Sequence, residues 1–190
     1  MYTTSDSLLW YAVRVQSRLA VVASAGLRDK GYTEFFPVYR AKRRWSDRMQ
    51  KVELPLFPGY LFCRFDASRR QPVLSTPGVI DIVGAGKRPI PVDDEEIEAI
   101  RAVLRSGFAA QPYPFLTVGA RVYIEAGPLA GVEGIVTSTD KVCRLVVSVA
   151  LLQRSVAVEI DRAWARPIGA AMGPRAVTLS ERVRLVSQGV

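Results

Sequence analysis

Two neighbouring stretches hold the side chains with which this chain could act, and both suit binding better than reaction. In the first, Arg40, Lys42, Arg43, Arg44, Arg48 and Lys51 crowd a segment relieved only by Asp47. Such a run is either a solvated loop or a surface that neutralises nucleic-acid phosphates. In the second, Phe57, Tyr60 and Phe62 follow one another through Pro58 and Gly59, and Arg64 adds a cation. Read as a strand from Tyr60, alternation sets Tyr60, Phe62 and Arg64 on one face and Leu61, Cys63 and Phe65 on the other. The second set is core. The first is either further core or a recognition surface, because a cation beside two rings is costly to bury unpaired and suits a face that meets a partner.

Little else offers chemistry. The 190 residues include no histidine, which removes the usual general base, a common metal ligand and any triad built on imidazole. There is no phosphate-binding glycine loop, dinucleotide fingerprint or nucleophile elbow. Asp93, Asp94, Glu95 and Glu96 form a carboxylate cluster that the start of a helix explains without catalysis. The sequence therefore predicts no enzyme, no metal and no cofactor. A net charge of +8 favours work beside a polyanion. With no apolar run of membrane-span length and no basic-then-apolar leader, a cytoplasmic protein without a membrane partner is expected. Cys63 and Cys143 fall in apolar, strand-like runs and read as reduced and structural.

The elements that must position the two stretches follow from periodicity. Leu9 to Val15 alternates as a strand, with Trp10, Ala12 and Arg14 on one face. Ser17 can cap a helix carrying Leu19, Val22, Ala23 and Leu27 to about Lys30, which Gly31 ends. A second strand spans Glu34 to Tyr39, the basic run is a loop, and Tyr60 to Phe65 is the third strand. Pro55, Pro58 and Gly59 stiffen and turn its approach. Ser68 and Gln71 suggest a capping box for a short helix, Val79 to Val83 a strand, and Asp93 with Glu96 the cap of a helix presenting Ile97, Ile100 and Leu104. This β-α-β-β-α-β order plus a helix predicts an α+β, ferredoxin-like layer. In it the first and third strands are neighbours, so Trp10 and Arg14 lie beside Tyr60, Phe62 and Arg64 on one face that is open unless the last helix covers it.

Gly107 to Thr117 lacks periodicity and reads as a linker. Four short runs rich in β-branched residues follow, at Arg121 to Ile124, Gly131 to Ser138, Arg144 to Leu151 and Ser155 to Ile160, and predict a small barrel. From Gly169 the chain loosens into a tail with a possible helix near Thr178 and Glu181.

Taken together, these residues resemble the NusG family of transcription elongation factors, in particular its specialised antitermination paralogues of the RfaH type. The N-terminal marks are Trp10 to Val13, the Pro55 to Phe62 segment with its Phe57-Pro58-Gly59-Tyr60 centre, and Thr76 to Val79. The C-terminal mark is a KOW motif, met here as Gly119 to Val122, then Gly127, Pro128, Leu129, Ala130 and Gly131, then Gly134 to Val136. The resemblance spans roughly Leu9 to Pro167. It implies an RNP-like N-terminal domain over 1–107, a linker over 108–117, an SH3-like KOW barrel over 118–168 and a tail over 169–190.

What the resemblance implies for function is docking of the N-terminal domain on the β′ clamp helices of RNA polymerase, with the β gate loop in reach, so that pausing or termination is suppressed. Phe57 takes the first place as polymerase anchor, with Trp10, Tyr60 and Phe62 around it. Arg14 stands where a relative has an aromatic. The gate-loop contact corresponds to Arg69 to Pro72, where the specialised polar signature is not kept. The barrel would recruit NusE, and through it the ribosome, or termination factor Rho, and the protein would be a monomer. The basic run could touch upstream DNA without specificity. One paralogue's barrel switches to a helical hairpin, but the β-branched run from Leu145 to Leu152 favours strands here.

Two readings of another class stay open. An RNA recognition motif uses the same core and asks for aromatics on its third strand, which Tyr60, Phe62 and Phe65 supply, although Pro58 stands at its basic position. A ribosomal KOW protein would also carry the barrel and the charge, but has no need of the Phe57 to Tyr60 segment.

Overall fold

The computed structural model describes residues 8–45, 48–115, 119–138 and 143–168, with the side chains of 42–50, 114 and 138 outside that description. In chain order the elements are β1 (Leu9–Val15), α1 (Ala20–Asp29), β2 (Thr33–Phe35), β3 (Val38–Trp45), β4 (Arg48–Pro55) and β5 (Tyr60–Phe65). Next come α2 (Gln71–Leu74), β6 (Val79–Ile82), β7 (Gly84–Ala85), β8 (Arg88–Pro89), β9 (Pro91–Val92) and α3 (Asp94–Arg105). The strands β10 (Gln111–Pro114), β11 (Ala120–Ile124), β12 (Glu133–Ser138), β13 (Cys143–Val149), β14 (Arg154–Glu159) and β15 (Ala165–Pro167) complete the set. The tail expected over 169–190 lies outside the described residues.

Two compact units divide the chain, and they interleave along it: 8–36 with 57–94 form one, and 37–56 with 95–168 form the other. In the first, the sheet runs β2-β5-β1-β6, with β9 on β1. This is the ferredoxin-like order, with the first and third long strands antiparallel at the centre. One side of the sheet packs Tyr11, Val13, Val15, Leu61, Cys63 and Phe65 against Ala20, Ala23 and Leu27 of α1 and Val73 of α2. Tyr11 and Phe65 place their rings 4.6 Å apart.

The structure shifts the phase of α1. A 3-10 turn over Ser17–Leu19 precedes it, and no side chain caps its start. The turn rotates the helix so that Ala20, Ala23, Ser24 and Leu27 are buried, while Val22 faces out. The expected capping box of the next helix is also corrected. Ser68 caps nothing: Asp66 caps a 3-10 turn over Ala67–Arg69, accepting the Ser68 amide at 2.8 Å and its hydroxyl, and α2 itself starts from Arg70 without a side-chain cap. Those two hydrogen bonds hold the Asp66 carboxyl below its ordinary range. On α3 the buried positions are Ile97, Ile100 and Val103 rather than Leu104.

In the second unit an antiparallel sheet runs β10-β14-β13-β12-β11-β15 and forms the SH3-like barrel. Val122, Ile124, Leu129, Leu145, Val147, Val149, Val156 and Val158 are buried in it, so the β-branched runs supply its core. The segment read as a linker contains β10, which pairs with β14 from Gln111↔Ala157 to Pro114↔Arg154. Pro112 and Pro114 lack an N–H, which an edge strand tolerates and a central one does not. The basic run, expected as a loop, is instead the hairpin of β3 and β4, in unbroken register from Val38↔Pro55 to Trp45↔Arg48. Its ladder satisfies the backbone without a fully buried face at Val38 to Ala41 or Lys51 to Pro55.

Candidate functional site

The register of β1 on β5 sets Trp10 opposite Arg64, Ala12 opposite Phe62 and Arg14 opposite Tyr60. The sequence-predicted residues Trp10, Arg14, Tyr60 and Phe62 therefore share one face of the sheet, as alternation requires. Phe57 joins them through the turn that enters β5. The Tyr60 amide donates to the Phe57 carbonyl at 3.0 Å, closing a four-residue turn. Its third residue, Gly59, has φ +84°, the left-handed conformation a type II turn demands. The Val15 amide donates to the Gly59 carbonyl at 2.9 Å and ties the turn to the end of β1. Phe57 meets Phe62 edge to face with ring centroids 5.4 Å apart, and Phe35 lies 6.1 Å from Phe62 on the other side.

Burial sorts the members of this face. Trp10, Phe57 and Phe62 are buried, at 3, 1 and 0% exposure, while Tyr60 is half-buried. Arg14 and Arg64 are the exposed cations of the face. Arg14 is bidentate on Asp81 of β6, with Nε to Oδ1 at 3.0 Å. Arg64 donates through Nε to the Leu8 carbonyl at 2.8 Å and stands 3.9 Å from Asp94. The face is thus an aromatic platform with cations at both ends and Tyr60 at its rim. Buried rings cannot stack on unpaired bases, so this is not the open aromatic sheet of an RNA recognition motif.

Behind the platform, Cys63 points into the opposite core, where burial pushes its thiol up to about 12. Lys30, at the end of α1, reaches the short helix that follows β5. Its ammonium donates to Pro72 O at 2.8 Å, Thr76 Oγ1 at 2.9 Å and Ser75 Oγ at 3.3 Å. Sequence reasoning missed this clip, because no local spacing links residues so far apart in the chain.

Of the basic residues, Arg40 pairs with Glu53 across the hairpin at 3.8 Å, and Lys51 is exposed. The backbone register sets Lys42, Arg43 and Arg44 opposite Lys51, Gln50 and Met49. The side chains of Lys42, Arg43, Arg44 and Arg48 lie outside the described residues. Among the described residues no group of carboxylates and cysteines could hold a metal ion, and no helix is long and apolar enough to cross a membrane.

The residues read from the sequence as a KOW motif form one turn between β11 and β12. Ala130 N–H donates to Gly127 O at 3.1 Å, Gly131 N–H to Ile124 O at 2.8 Å and Val132 N–H to Leu129 O at 3.1 Å. Leu129 is fully buried beneath the turn. Gly127, at φ +79°, passes directly over the Trp164 indole, and a Cβ there would lie 2.9 Å from the ring. Pro128 stiffens this turn, and Gly134 in β12 admits Leu145, whose Cδ1 would stand 2.8 Å from a Cβ at that position.

A ferredoxin-like sheet with a cation-flanked aromatic face is followed in sequence by a small β-barrel, two parts of an α+β protein. The family model described as "Transcription termination factor nusG" matches residues 8–101. The transcription termination/antitermination protein NusG of Thermus thermophilus is 30% identical over 176 residues, covering 82% of this chain and 96% of that protein. Its counterpart in Escherichia coli K12 is 35% identical over 118 residues, covering 59% of this chain and 65% of that protein. A Thermotoga maritima NusG structure, described by its domain interaction, aligns at TM-score 0.48 and 21% identity, over 85% of this chain and 97% of that one. The chain belongs to the NusG family of transcription termination/antitermination proteins.

Proposed function

We propose that this protein is a transcription elongation or antitermination factor that docks its β1–β5 face on the β′ clamp helices of RNA polymerase and so suppresses pausing or termination. The observation that carries the reading is the register that gathers Trp10, Arg14, Tyr60 and Phe62 beside the Phe57 turn on one face. Tyr60 and Arg14 make the outer contact, and Trp10, Phe57 and Phe62 fix them from beneath, in keeping with the burial of those three rings. Exposed Arg14 beside half-buried Tyr60 offers a partner one cation and one aromatic over a rigid, packed base. Arg69 and Gln71, exposed beside α2, lie where a second contact with the β gate loop would fall.

In this reading residues 1–107 form the polymerase-binding part, and the KOW barrel recruits a second protein, NusE with its ribosome or Rho. The β3–β4 hairpin lends phosphate contacts without reading sequence. The test is the affinity of the full chain for purified core RNA polymerase. Tyr60→Ala should weaken it by about ten-fold or more, the effect of a hot-spot tyrosine, with the melting temperature kept. Equal affinity of the variant would remove Tyr60 from the interface.

A further inference from the structure

The outer face of α1 carries apolar side chains and charges that its own unit does not use. The inner face of the helix packs on the side of the sheet opposite the aromatic platform. Of the large apolar side chains exposed among the described residues, Leu19, Val21 and Val22 stand together at the start of this helix, Val21 at 71% and Val22 at 50% exposure. Ala25, one turn on, is exposed as well.

The charges are a second observation. Arg28 is engaged by Glu34, and Lys30 by the oxygens of Pro72, Ser75 and Thr76. Arg18 and Asp29, both exposed, form no ion pair among the described residues. Each also stands at the unfavourable end of its own helix. A cation is repelled by the positive N-terminal end and a carboxylate by the negative C-terminal end. Arg18 lies in the 3-10 turn that precedes α1, and Asp29 is its last residue. At helical spacing Arg18, Val22, Ala25 and Asp29 form one stripe, directed away from the buried Ala20, Ala23 and Leu27.

This stripe is its own complement. Two copies of α1 laid antiparallel across a twofold axis set Arg18 of each against Asp29 of the other, and Val22 of each against Ala25 of the other. Each charge then lies beside the end of the neighbouring helix whose dipole favours it. The small Ala25 side chain admits the close approach of packed helices, roughly 8–10 Å between axes. We infer that the protein self-associates through the outer face of α1 into an antiparallel, twofold dimer, in place of the monomer that the resemblance implies. The contact does not use the platform face. Two helices of about three turns cover less than the roughly 1,200 Å² of a lasting complex, so the dimer forms and dissociates with concentration.

The test is sedimentation equilibrium of the full chain from about 10 μM to about 1 mM at low salt, where a weak contact is populated. The weight-average mass of the parent should rise from that of one chain towards that of two. Arg18→Asp and Asp29→Arg each place like charges at both ends of the contact and should weaken self-association by about ten-fold or more. Mixed in equal amounts, the two variants restore opposite charges at both ends, and the mixture should associate as tightly as the parent. Both positions are exposed, so the variants keep the fold. A parent that stays a monomer to about 1 mM would overturn the inference, and is the outcome expected if another segment of the chain or a different protein covers the stripe. Single variants that associate as well as the parent, or a mixture no tighter than its components, would overturn it too.

Discussion

Arg14 and Asp81 face each other across the antiparallel pair of β1 and β6, guanidinium to carboxylate in two parallel hydrogen bonds. The pair stands at one end of the aromatic platform, and both side chains are about half exposed, at 50 and 48%. Fork-to-fork geometry fixes the direction of Arg14 more than it stabilises the fold. Arg14→Ala should therefore cost no more than about 1 kcal/mol in a urea titration. A loss several times larger would mean the pair organises the edge of the sheet.

Phe57 behaves differently. Its ring is buried edge to face on Phe62, so Phe57→Ala removes core rather than surface. The expected loss is about 3–5 kcal/mol, read as a lower denaturation midpoint. A variant as stable as the parent would show that the ring contributes little to packing.

How much of this was legible in the sequence depends on the kind of signal. The strands over Leu9–Val15 and Tyr60–Phe65 were readable to the residue because two-residue alternation marks a half-buried strand. The site face followed from the topology those strands imply. Alternation says which face a side chain joins, but not what lies over that face, so the burial of Trp10, Phe57 and Phe62 was not readable. The β3–β4 hairpin was hidden for a related reason: its sequence carries no apolar period, and six cations look like a loop. The prolines of β10 spoke against a strand, yet at a sheet edge they are harmless.

Cys63 gives a pH dependence of defined sign. Its thiol has an ordinary value near 9.0 when unfolded and about 12 when folded, so the folded state resists deprotonation. Its contribution is fully present below pH 9 and is lost as the pH climbs from 9 towards 12. In denaturation midpoints across that window, Cys63→Ala should fall less steeply than the parent chain. Parallel curves would contradict the assignment. The parent thiol should also resist modification by a thiol reagent at pH 8 until the protein unfolds.

The Lys30 clip should act locally. Lys30→Met removes three donors to Pro72, Ser75 and Thr76 at a largely exposed site. A global cost of about 1 kcal/mol is expected, with amide exchange speeded in α2 ahead of the β5 strand. Uniform acceleration throughout would argue against a local clip.

In the barrel, Gly127→Ala must push against the Trp164 indole and hold a left-handed φ. A loss of about 1–3 kcal/mol is expected, together with a changed tryptophan emission spectrum. An unaltered spectrum would place Trp164 away from the turn.

Removing the charges of Arg43 and Arg44 together, as glutamines, should reduce the salt slope of nucleic-acid binding by about 1–2. Polymerase affinity should change little. An unchanged slope would make the hairpin a bystander.

The docking claim is tested most directly by placing a photo-crosslinking amino acid at Tyr60 and, in a second protein, at Val21, an exposed position of α1. Each is then irradiated in complex with core RNA polymerase. The account predicts crosslinks from position 60 to the β′ clamp helices and none there from position 21. Crosslinking to β′ from position 21 but not from 60, or from neither, would contradict it.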